Sequence, residues 1–136
     1  IEDISDVLIP ATGTPGALQA QVPYFIDLVV KNCMNNNDQQ MIKKGLQQLN
    51  EQSKFSSLSS KEKLEAVKKT DEAAFKENSD QAWFRIIKKL ALIGYFTSQE
   101  GMTTALNYVK VPGDYNACIP YKEGDKALAK TFLMYW

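Results

Sequence analysis

Histidine is absent from this 136-residue chain. Without an imidazole there is no Ser/His/Asp or Cys/His nucleophilic site, no haem ligation through histidine, and no basis for most zinc sites. Net charge is absent too, because sixteen basic and sixteen acidic side chains cancel. Such a balance draws in neither nucleic acid nor an anionic membrane, and its weak colloidal repulsion suits a protein that lives bound to something. No apolar run approaches the roughly 20 residues needed to span a bilayer; the longest is Leu90–Phe96. Also missing are a D-x-D-x-D-G calcium loop, a G-x-G-x-x-G dinucleotide signature and any Asn-x-Ser/Thr sequon. The Gly13–Thr14–Pro15–Gly16 turn lacks the lysine and spacing of a phosphate loop, and reads as a connection between helices. The chain starts at Ile1 without a targeting segment, and we read it as processed or truncated.

Cysteine is scarce. Cys33 and Cys118 are too far apart for a C-x-x-C redox or metal site. Two readings stand open: a pair of buried thiols, or one disulfide closing a long loop in an oxidising compartment. We expect the bridge, because Cys33 falls at the end of a core stripe and Cys118 lies in a turn-rich tail with no other anchor.

What is present is helical periodicity. Ile1, Ile4 and Leu8 mark a first helix that stops at Pro10. Val22, Phe25, Ile26, Val29 and Cys33 form a single apolar stripe at i, i+3, i+4, i+7 and i+11. Pro23 suits a first helical turn. A third helix, from about Asp38 to Gln52, carries Gly45 on its apolar side, which points to close approach of a neighbour. Ser59 and Glu62 have the spacing of a capping box ahead of a fourth helix through Leu64, Val67, Ala74 and Phe75, with a kink or break expected at Asp71. The fifth, Asp80 to about Ser98, presents Trp83, Ile86, Ile87, Leu90 and Ile93 as its core stripe. Its other side starts with Arg85, Lys88 and Lys89 and continues as Leu92 and Phe96, which we expect the C-terminal tail to cover in preference to another protein. A helical turn follows at Met102–Asn107, then an irregular tail. The fold class is all-α: residues 1–136 form one domain, a bundle of about five to six helices with an irregular C-terminal tail.

Three blocks carry a resemblance. They are Ile9–Pro10 with Thr14–Ala17, Val22–Pro23 and Phe25–Asp27, then Gly94–Gly101, then Ala105–Pro120. In order and spacing the chain resembles the gluconate 2-dehydrogenase subunit 3 family, small accessory subunits of secreted flavin-dependent sugar dehydrogenases. The resemblance implies a helical, non-catalytic subunit, exported by the twin-arginine route to the periplasm or cell envelope. It implies a flavoprotein dehydrogenase catalytic subunit as partner, passing electrons to a cytochrome c or a quinone-linked acceptor. FAD is expected in that partner, with no cofactor, metal or catalytic residue in this chain. The ending Lys126–Trp136 departs from the family's usual form.

A partner interface is expected at Thr14, Pro15, Gly16, Tyr95, Phe96, Gly101, Pro112, Gly113 and Tyr115, with Tyr95 and Phe96 as buried anchors. The bland alternative is that Pro15 and Gly16 set a turn, Gly101 ends a helix and the aromatics are core. Two other functions stay open: a stand-alone helical binding or chaperone module of the envelope, and a small hydrolase using paired carboxylates.

Overall fold

The computed structural model describes residues 1–76, 79–109, 118 and 120–128. Its helices are α1 (Glu2–Leu8), α2 (Val22–Cys33), α3 (Asn36–Ser53), α4 (Ser60–Ala74) and α5 (Ala82–Thr97). A 3₁₀ turn, Phe55–Ser57, and a π-helical turn, Gly101–Ala105, complete the set. Among the described residues there is no strand, only one parallel bridge between Asn107 and Leu128.

Local chemistry sets the boundaries. Gln21 takes a left-handed conformation (φ 53°) and Pro23 lies in the first turn of α2. The Asn35 side chain accepts the Asp38 backbone N–H at 2.9 Å and caps α3. Ser59 and Glu62 form the expected capping box ahead of α4. Hydrogen bonds from the Ser59 hydroxyl and backbone hold the Glu62 carboxyl below its ordinary range.

Helix α5 is the axis of the bundle, with α1, α2, α3 and α4 all packed against it. Neighbours on several sides bury more than one stripe. Trp83, Phe84, Ile87, Leu90, Ala91, Gly94 and Tyr95 are buried, while the expected Ile86 and Ile93 are only half-buried. Gly45 meets its expected neighbour: a Cβ there would lie 2.3 Å from the Trp83 ring. Gly94 does the same for α2, since its Cβ would lie 2.6 Å from Phe25.

Two expectations about α4 are corrected. The helix is continuous through Asp71, because that carboxylate leans out to Lys88 of α5, with both oxygens 2.7 Å from the ammonium. Its seam is carried by Val67 and Ala74, whereas Leu64 and Phe75 are exposed.

One polar atom is at odds with its surroundings. The Ser5 hydroxyl is fully buried with no hydrogen-bond partner. Burying an unpaired hydroxyl costs about 1–3 kcal/mol, and alanine is the better helix former. Ser5→Ala should therefore raise the thermal midpoint or leave it unchanged; a clear drop in a melting curve would show that the hydroxyl has a partner.

Candidate partner-binding surface

The first two blocks that carry the resemblance meet in space. Residues 9–22 form a tightly hydrogen-bonded turn. Within it the Ala17 N–H donates to the Ile9 carbonyl at 2.8 Å and the Val22 N–H to the Ala17 carbonyl at 3.0 Å. The Tyr95 hydroxyl, from the far end of α5, donates to the Pro15 carbonyl at 2.7 Å. This internal corner corrects the expected anchor: Tyr95 is 3% exposed, so it belongs to the core.

The two glycines of that set are also internal. A Cβ on Gly16 would lie 2.5 Å from the Ala11 nitrogen, and one on Gly101 would lie 2.0 Å from the Tyr95 carbonyl oxygen. Both are buried and serve close backbone packing. Thr14 and Pro15 are half-buried, the latter holding the tyrosine. Pro112, Gly113 and Tyr115 lie outside the described residues.

One part of the cysteine expectation is corrected: Cys33 lies at the surface, not at the end of a buried stripe, and Cys118 is exposed too. Cys33 has the right angle on α2, but the helix has outrun the core. Burial falls from Val22 and Ile26, fully buried, through half-buried Val29 and Val30, to Cys33 at the exposed last position. Cys33 should therefore react with a thiol reagent in the native protein without prior reduction; an intact mass lighter by two hydrogens, with no reactive thiol, would show the bridge instead.

Phe96 keeps part of the expected role. It is half-buried, edge-on to Tyr95 with ring centroids 5.2 Å apart. One turn earlier on the same side, Leu92 is 45% exposed. A further turn back is Lys88, whose ammonium lies 5.3 Å from the centre of the Phe75 ring; Phe75 is 64% exposed. Phe75, Lys88, Leu92 and Phe96 thus make a ridge of apolar surface along the outer side of α5 and the end of α4. The Lys88 charge within it is already neutralised by Asp71. By sequence alone Phe75 falls in line with Val67 and Ala74 on the buried seam, so nothing local places it on this ridge.

Among the described residues, no group of three or more His, Cys, Asp and Glu side chains could hold a metal ion. No described helix is long and apolar enough to cross a membrane. An open groove of about 580 Å³ runs between α3 and the start of α5, with Met41, Gly45 and Trp83 toward its floor. It carries one carboxylate, Asp80, against one ammonium, Lys44, which is not the paired-carboxylate arrangement of the hydrolase reading.

A family model, described as gluconate 2-dehydrogenase subunit 3, matches residues 1–113 of the chain. No curated protein and no solved structure matches it.

Proposed function

We propose, because the chain belongs to the gluconate 2-dehydrogenase subunit 3 family, that it is the non-catalytic small subunit of a flavin-dependent sugar or sugar-acid dehydrogenase. It binds the catalytic flavoprotein in the periplasm or cell envelope and escorts it through export. FAD resides in the partner, which hands electrons on to a cytochrome c or quinone-linked acceptor.

The observation that carries this reading is the Phe75–Lys88–Leu92–Phe96 ridge. Phe75 and Leu92 stand exposed to either side of Lys88, with half-buried Phe96 one turn further on, and large apolar groups exposed close together mark a contact surface more often than chance. The aliphatic stem of Lys88 adds apolar area while its head stays paired. A fully polar exterior would have favoured the stand-alone envelope module.

The experiment is purification of the tagged protein, expressed from its own gene in its own host. The chain should bring down a second polypeptide with flavin absorbance, while the same chain purified alone from a foreign host should carry no flavin. Stoichiometric flavin on the isolated chain, or recovery from the host with no flavoprotein, would overturn the reading.

A further inference from the structure

Among the described residues nothing covers Phe75 or Leu92, which are 64% and 45% exposed. Apolar groups left open so close together promote self-association before a partner arrives. The course of the chain beyond α5 brings a cover within reach. The π-helical turn abuts the Phe96 end of the ridge, since a Cβ on Gly101 would lie 3.3 Å from the Phe96 Cα. Two residues past that turn, the Asn107 N–H donates to the Ala127 carbonyl at 2.8 Å, and Asn107 pairs in parallel with Leu128. Helical and extended rises together put Leu128 within roughly 18 Å of Gly101.

Residues 129–136 continue from this point and lie outside the described residues. At 3.3 Å per residue their reach runs from about 13 Å at Phe132 to about 26 Å at Trp136. Leu92 is one helical turn, roughly 6 Å, beyond Phe96, so the segment is long enough to lie along the ridge. Its chemistry matches. Phe132, Leu133, Met134, Tyr135 and Trp136 are five consecutive large apolar side chains, and Lys130 is the one charged side chain among the eight. The ridge is equally uncharged in sum, because Asp71 neutralises Lys88. Aromatic and methionine side chains adapt to an apolar strip of irregular shape. The ridge falls within residues 1–113, which the family model matches, and the segment falls beyond them.

We propose that residues 129–136 fold back over the Phe75–Leu92–Phe96 ridge in the free subunit and are displaced when the flavoprotein docks. The proposal rests on the partner reading above. A segment tethered this closely has an effective concentration of roughly millimolar, so a weak apolar contact is enough to hold it in place. A cover closed about nine-tenths of the time weakens apparent binding of the flavoprotein about tenfold.

The test places a photo-crosslinking phenylalanine analogue at Leu92 of the full chain. Purified alone, the chain should crosslink within one molecule to residues 129–136. In the complex from the native host, the crosslink should pass to the flavoprotein. Separately, the Phe132→Ser/Trp136→Ser double variant should bind the flavoprotein about tenfold more tightly than the parent, a gain that misfolding could not produce. A free chain that crosslinks only to a second copy, or not at all to residues 129–136, would overturn the cover and leave the ridge reading standing. Unchanged affinity of the double variant would do the same. A Leu92 crosslink that stays on residues 129–136 in the complex would overturn the displacement and the ridge reading together, as would absence of any flavoprotein from the parent preparation.

Discussion

Gly45→Ala is expected to destabilise the fold by about 2 kcal/mol, although alanine gains roughly 1 kcal/mol over glycine in a helix interior. The added methyl would sit 2.3 Å from the root atoms of the Trp83 ring. That indole is 1% exposed, its N–H is tied to Gln81, and it packs edge-on against Phe84 with centroids 5.6 Å apart. With three sides fixed, the ring cannot swing away, so α3 must move off α5. Overpacking of this kind costs about 1–3 kcal/mol, and here the upper end applies. Chemical denaturation would show a lower midpoint at unchanged slope. A more stable variant would mean that the α3–α5 approach is looser than described.

Gly101→Ala should cost more, about 3 kcal/mol or above, because the obstacle is backbone. Its Cβ would fall 2.0 Å from the Tyr95 carbonyl oxygen and 3.3 Å from the Phe96 Cα. Neither atom can turn aside by a rotamer change. The Ser98 hydroxyl also accepts the Gly101 N–H at 3.0 Å while donating to the Tyr95 carbonyl at 2.7 Å. The substitution therefore forces the π-helical turn off the end of α5 and disturbs the residue that locks Pro15. Gly13→Ala is the control, with nothing within 4 Å of its Cβ. It should melt within a degree or two of the parent, on the scale of a few degrees per kcal/mol for a domain of this size. Equal effects at Gly13 and Gly101 would remove the packing explanation.

The helices were legible because their ends are written in short-range chemistry. The Ser59/Glu62 box, the Asn35 cap and Pro23 each act within four residues, and Gly45 announced a close neighbour before that neighbour was known. What a stripe does not reveal is how far along a helix the cover extends. Cys33 lies on the right side of α2 but past the end of the core. Nor does periodicity count the neighbours of a helix. With four others around α5, Phe84, Ala91 and Tyr95 are buried off the expected stripe. The corner between Tyr95 and Pro15 joins residues eighty positions apart, a distance at which local pattern carries no information. The same corner separates the roles that the sequence had pooled. Gly16, Tyr95 and Gly101 hold the fold, Phe96 remains at the surface, and Phe75 and Leu92 join it there.

If the outer ridge of α5 seats a flavoprotein, the Phe75→Ser/Leu92→Asp double variant, purified from the native host beside the parent chain, should lose it. Both side chains are exposed, so the isolated variant should melt close to the parent. Flavin absorbance recovered per mole of chain is the quantity to measure. It should drop at least about tenfold, the loss expected when an interface core receives a charge and sheds an aromatic anchor. Full flavin recovery with a normally folded variant would contradict it.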